Sequence, residues 1–379
     1  MNVIYDYQTF NNMSYGGVPR YFCELIHQYN TQNSNVQITL PRFWTLNPDY
    51  REITSDVTTA WKIKDQLAHF SMKILHKNLS SILMTGGKKE TERLLQKQSF
   101  DLLHPTGFDS YFLKHIGKKP YILTIHDLTY ERYPEYFPLN TDVRKNTDTL
   151  LQNASRVIAI SEATKRDLIQ YYECDSSKID VIYHGSLFEK YNLYKPIPED
   201  SGHHKPYLLY VGRRAAYKNF YHFVLSIAPY LRSGYFELIC AGGGSFSEKE
   251  KYYLETLGVK KYVIQNTVND TTLISLYQHA IAFVFPSIAE GFGLPMLEAF
   301  SCGCPIICSN TTSLPEIGGD AVHYFDPKDI TSIQNAVLDV FQNENKRIAM
   351  IQRGYDRLSD FSWEKCAKKT EISYEKALE

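Results

Sequence analysis

The 379-residue chain has no charge excess of either sign. Lysine and arginine number 41 against 42 acidic residues, so the basic field that draws proteins onto nucleic acid is missing, and nucleic acid is not an expected partner. Cysteine is sparse. Seven thiols, an odd number thinly spread, do not make a disulfide framework. Cys302, Cys304 and Cys308 come close together, but no second Cys or His cluster completes zinc-ligand spacing, so the thiols read as buried and reduced. The N-terminus has no basic segment leading into an apolar one, and no run reaches the roughly 18 apolar residues of a membrane span. The expected compartment is the cytoplasm. The full G-x-G-x-x-G dinucleotide fingerprint is also missing, which counts against a nicotinamide enzyme.

What the chain does have is length, a 43% hydrophobic composition and a recurring rhythm of short apolar runs. The length suits two or three domains. Runs rich in β-branched and aromatic residues occur at 2–5, 36–40, 121–125, 156–160 and 180–183, and resume at 207–211, 236–240, 281–285 and 305–308. Helical patterns lie between them. Continuous rather than alternating apolar strands signal parallel sheets covered on both faces, so each half reads as a doubly wound α/β domain. Residues 195–206, with three prolines and a glycine, have linker composition. The expected division is an N-terminal Rossmann-like domain over 1–195, a second over 196–361, and a C-terminal helix over 362–379 packing back on the first. Between Lys62 and Lys97 there are eight Lys or Arg against three acids. Such a stretch is a candidate surface for an anionic membrane, the alternative being a solvated helix whose apolar stripe joins the core.

Chemistry is carried at the ends of the apolar runs. After the strand ending at Phe285 a glycine-rich turn carries Glu290, and Pro295 suits the first turn of a helix. Glu290 therefore sits at the carboxyl end of a parallel strand, where open α/β sheets bind ligands. The amides of Phe292, Gly293 and Leu294 at that helix start suit a phosphate. Glu298, one turn in, suits the vicinal hydroxyls of a ribose. The alternative is an ordinary Gly-x-Gly helix entry with a glutamate complementing the dipole. The strand at 207–211 likewise ends in Gly212, followed by Arg213 and Lys218, two cations able to grip a diphosphate and neutralise it as it leaves. Loop cations are more often only solvated. In the first half, Gly16 and Gly17 allow close backbone approach to a ligand across a cleft, and His126 directly follows the strand ending at Ile125. A lone histidine there is commonly structural.

Taken together, Gly16-Gly17, His126-Asp127, Gly212-Arg213 with Lys218, and above all Glu290-Gly-Phe-Gly-Leu-Pro-Met-Leu-Glu298 resemble the retaining glycosyltransferases of family 4. Leu314-Pro-Glu and Phe325-Asp-Pro continue the likeness. The resemblance implies the GT-B fold, two Rossmann-like domains facing across a cleft. It implies that Glu290 binds hydroxyls of the donor sugar, Glu298 the ribose, and Arg213 and Lys218 the diphosphate. His126 would lie beside the reacting sugar, Gly16 and Gly17 would close over donor or acceptor, and Val268 would contact the base. The implied reaction moves a hexose from a nucleotide diphosphate sugar to an acceptor hydroxyl with retention, using no metal and no cofactor beyond the donor. Residues 5–10 and 17–25 are similar to the branch that builds bacterial surface polysaccharides such as O-antigen or capsule. That branch implies GDP-mannose as donor and a glycan on a polyprenyl carrier as acceptor, met at the inner membrane face. Alternatives left open are a UDP- or dTDP-sugar donor, a nucleotide-sugar epimerase, and a non-catalytic sugar-nucleotide-binding protein, against which both glutamates stand.

Overall fold

The computed structural model describes all residues except 13–15, 33, 46, 55–85, 138–140, 189–204 and 215. Twelve strands are present among them. β1 (Asn2–Tyr5), β2 (Gln37–Thr39), β3 (Leu102–His104), β4 (Ile122–Ile125), β5 (Arg156–Ala159) and β6 (Ile179–Val181) lie in the first half. β7 (Tyr207–Val211), β8 (Glu237–Ala241), β9 (Val263–Asn266), β10 (Ala282–Phe285), β11 (Ile306–Ser309) and β12 (His323–Phe325) make up the second. Every pairing is parallel. In the first half the orders are β2-β1-β3 and β4-β5-β6, and a parallel bridge between Leu103 and Tyr121 joins the two triplets. In the second half the order is β12-β11-β10-β7-β8-β9.

Burial explains why the apolar runs are continuous. All four residues of β10 and of β11 are buried, because helices cover both faces of the sheet and no position meets water. β3 and β12 differ: each is three residues long and contains a histidine, so neither offers an apolar run to read.

Chain order in the second sheet locates a ligand crevice. From β7 the chain runs outward through β8 and β9, then restarts on the other side with β10. The carboxyl ends of β7 and β10 therefore flank a topological switch point.

The C-terminal helix Trp363–Leu378 packs on the Gly17–Thr31 helix and on β5 of the first half. Its Tyr374 hydroxyl lies 2.8 Å from both Tyr5 Oη and His104 Nδ1, with all three groups buried. His104 Nε2 is in turn 2.8 Å from Thr124 Oγ1. At the helix start, Trp363 Nε1 donates to the Ser186 carbonyl at 3.0 Å.

The proline-rich segment 195–206 lies outside the described residues except for Lys205 and Pro206, and so does most of the basic stretch from Lys62. The described end of that stretch is the helix Gly86–Gln96, which buries Gly87, Thr91 and Leu95. Two of its cations are already partnered: Arg93 with Glu90 at 2.6 Å and Lys88 with Asp109 at 3.9 Å. All seven cysteines are free; Cys23 and Cys174 are half-buried and the other five are buried. No helix among the described residues is long and apolar enough to cross a membrane.

Candidate active site

At the switch point the loops after β7 and β10 meet through charge. Lys218 Nζ donates to Glu290 Oε1 at 2.6 Å, with both side chains mostly buried. Burial alone would lower the Lys218 pKa, but the Glu290 carboxylate, with Tyr217 and Asp127 adding to it, holds the ammonium above its ordinary value. The Glu290 turn is tied down on its own side. Glu290 N–H donates to Thr312 Oγ1 at 3.0 Å, and Ser313 Oγ donates to the carbonyls of Glu290 and Phe292 at 2.9 and 3.1 Å. The turn then enters the Leu294–Ser301 helix through Gly293 at φ +106, a conformation that side chains rarely adopt. Among the described residues no protein acceptor takes the N–H of Phe292, Gly293 or Leu294, so three amides are available at a helix start.

Arg213 and Arg214, adjacent in sequence, have opposite fates. Arg213 is exposed, and no ion pair holds it among the described residues. Arg214 is buried; its Nε donates to Glu250 Oε1 at 2.6 Å and its other nitrogens donate to the carbonyls of Gly242 and Gly244 at 3.2 and 2.8 Å. Its guanidinium also lies over the Phe246 ring at 4.8 Å. A Cβ at Gly243 would come within 2.5 Å of the Gly212 carbonyl. Arg214 thus fixes the glycine loop after β8 tightly against Gly212, leaving Arg213 as the cation facing outward. Sequence reading assigns a role to Arg213 and none to Arg214.

Glu298 is buried and accepts a hydrogen bond from Tyr277 Oη at 3.1 Å. Desolvation pushes its carboxyl up to about 7, against the Tyr277 hydrogen bond and the charge of Arg20. The folded chain therefore keeps a proton that the unfolded chain releases near 4.5. Stability falls as pH rises from about 4.5 to about 7, by roughly 1.4 kcal/mol for each pH step of one within that window. Glu298→Gln is expected to flatten that part of a melting-temperature profile of the nucleotide-free protein; an unchanged slope would show that Glu298 is already ionised. Val268, expected at the base, is half-buried on the loop after β9.

The first half closes directly over these loops. A Cβ at Gly17 would touch Leu294 at 3.2 Å, and one at Gly291 would fall 1.7 Å from the His126 carbonyl. Ser161 Oγ donates to the Gly291 carbonyl at 2.7 Å. The Glu316 carboxylate accepts from the N–H groups of Glu162 and Ala163 at 2.6 and 3.0 Å, capping a first-half helix from the second half. Arg20 and Asp270 form a further bridge at 3.2 Å. The half-buried His126 ring stands edge-on to Tyr21 and His184, and burial pushes its pKa down to about 4, leaving it neutral near pH 7. His184 is buried between the rings of Tyr21 and Phe292, at 4.8 and 4.9 Å. A small cavity of about 10 Å³ lies where Asp127, Thr129 and Asp167 of the first half meet Glu290 and Gly291 of the second. A cavity of about 720 Å³ lies farther along, lined by Arg20, His27, Asp49, Asp270 and Trp363. The structure thus brings together Gly17, His126, Lys218, Glu290 and the 292–294 amides, with Glu298 and Arg213 flanking them. Sequence reasoning missed Arg214, Ser161 and Glu316.

Two parallel-sheet halves closed over a carboxylate, two cations and a helix start form the GT-B arrangement. Comparison with known proteins gives the family. Residues 15–186 match the model described as Glycosyltransferase Family 4, and residues 195–357 match Glycosyl transferases group 1. The chain belongs to this glycosyltransferase family. It is 29% identical over 285 residues to O-antigen chain mannosyltransferase B of Escherichia coli, covering 70% of this chain and 72% of that one. It is 28% identical over 221 residues to the O-antigen chain mannosyltransferase RfbU of Salmonella typhimurium, covering 58% and 60%. Among solved structures it is similar in fold to a sucrose-phosphate synthase from Thermosynechococcus elongatus, with a TM-score of 0.73, 18% identity and coverage of 99% and 98%.

Proposed function

We propose that this glycosyltransferase moves mannose from GDP-mannose to a hydroxyl of a growing surface glycan, with retention at the anomeric carbon and without a metal ion or cofactor. The observation that carries the reading is the Lys218–Glu290 contact at the β7/β10 switch point, with free amides and an exposed Arg213 beside it. An arriving diphosphate competes for Lys218 and releases Glu290 to bind hydroxyls of the donor sugar. Arg213, Lys218 and the amides of Phe292, Gly293 and Leu294 then stabilise the charge that grows on the leaving diphosphate. The neutral His126 can exchange hydrogen bonds with the sugar, Glu298 takes the ribose, and Val268 meets the base. In the front-face course proposed here, the acceptor oxygen bonds to the anomeric carbon as the bond to the diphosphate breaks, and the departing phosphate oxygen takes the acceptor proton.

Mannose and O-antigen are favoured because the two relatives are so named. On this reading residues 1–195 form the acceptor side, 196–361 the donor side, and 362–379 the buttress of the first. A saccharide on a polyprenyl carrier brings the enzyme to the cytoplasmic membrane surface, with the Lys62–Lys97 stretch toward anionic lipid. A melting-temperature panel of GDP-, UDP- and dTDP-sugars tests the donor, since a ligand bound only by the folded state raises the melting temperature. GDP-mannose is expected to raise it by several degrees, and a response confined to UDP- or dTDP-sugars would overturn that assignment. Isomerisation of the sugar without any acceptor would instead mark an epimerase.

A further inference from the structure

A ladder of aromatic rings leads from the surface to the Lys218–Glu290 pair. Tyr130, 53% exposed, lies 4.1 Å from Phe137 between ring centroids. Phe137 lies 5.5 Å from Tyr217, and Lys218 Nζ sits 5.0 Å from the Tyr217 ring centre. Tyr130 and Phe137 belong to the first half and Tyr217 to the second, so the ladder crosses the cleft mouth. Its backbone is held: Phe137 N–H donates to the Pro134 carbonyl at 3.1 Å, and the Tyr217 carbonyl accepts from Ile288 N–H at 2.8 Å. Asp127 is exposed beside it, with Oδ1 taking the Thr129 N–H at 3.1 Å.

We infer that this shelf is the acceptor subsite, and that it binds a pyranose residue of the saccharide receiving the new sugar. The inference rests on the transferase reading. A pyranose has one face of C–H groups that lies flat on an aromatic ring, and a rim of hydroxyls that donate to carboxylates such as Asp127. The order of the rings also matters. Phe137 is covered by Tyr130 on one side and Tyr217 on the other, so the sugar is seated on the outer face of the exposed Tyr130, at the first-half end of a stack that runs through Phe137 and Tyr217 to Lys218 and Glu290. The acidic neighbours Glu131 and Glu135 disfavour an anionic bilayer as the occupant of these rings.

Saturation-transfer NMR with α-linked mannobiose and with chitobiose tests the shelf. Irradiating aromatic protons is expected to saturate pyranose C–H protons of at least one disaccharide. Tyr130→Ala should weaken the effect about tenfold, a loss of about 1.4 kcal/mol, and Tyr130→Phe should restore it, since the ring and not the hydroxyl provides the platform. Absence of transfer to both disaccharides overturns the inference, as does equal transfer to Tyr130→Ala. Flotation of the wild type, but not of Tyr130→Ala, with neutral phosphatidylcholine vesicles would reassign the rings to lipid and also overturn it. If the disaccharide signal follows this pattern while no nucleotide sugar shifts the melting temperature, the donor reading fails and the saccharide shelf stands.

Discussion

Replacing Glu290 by alanine is expected to lower transfer by roughly a thousandfold while the protein stays folded, a loss of about 4 kcal/mol from the transition state. The backbone of the turn does not depend on the carboxylate, because Thr312 and Ser313 hold it through main-chain atoms. What is lost is the group that positions Lys218 before the donor arrives and, on the proposed reading, the donor sugar once it is bound. Steady-state kinetics with GDP-mannose, together with a melting curve, separate these effects. The melting transition should remain cooperative, and on the proposed reading nucleotide should still raise it through Glu298 and Arg213. Near-normal turnover would remove Glu290 from the site.

Gly291→Ala is expected to cost at least a hundredfold in transfer although it changes no charge. The added methyl would sit 1.7 Å from the His126 carbonyl and 2.9 Å from Asp127 Cβ. Gly291 is absent from the glycines at positive φ, so alanine suits the turn itself and only the contact with the first half is violated. Backbone lies on both sides of that contact and cannot rotate away, so the halves must part there by an ångström or more. Misplacement on that scale between donor and acceptor groups is enough for a hundredfold loss. Small-angle scattering should show a larger radius of gyration, and melting-temperature shifts with nucleotide should persist because the proposed donor loops lie in the second half. A variant with wild-type kcat/KM and unchanged scattering would show that closure at this point is not needed.

Much of this site was legible because its signals are local. An apolar strand followed by a glycine turn and a proline-led helix places Glu290, and the same grammar places Arg213, Lys218 and His126 at strand ends. The parallel α/β character followed from continuous apolar runs. What could not be read depends on partners distant in sequence. Nothing within Arg213-Arg214 says which guanidinium turns inward, since that is decided by Glu250 and the carbonyls of the 242–244 loop. Glu316 stood in a recognisable run, Leu314-Pro-Glu, yet its role as the cap of a first-half helix needs both halves in place. The shut cleft is likewise a property of the assembled fold.

The C-terminal helix has a topological consequence. Because it returns to the first half, the main chain passes between the halves twice, once between β6 and β7 and once just before Trp363. Two covalent crossings tether the halves more closely than one would: the halves cannot exchange partners or drift apart independently, and Gly291 and His126 stay near each other even when their contact is broken. For the same reason a fragment cut after residue 195 is an incomplete unit, since it would expose Tyr5 and leave His104 Nδ1 without the Tyr374 hydroxyl in the middle of its own core.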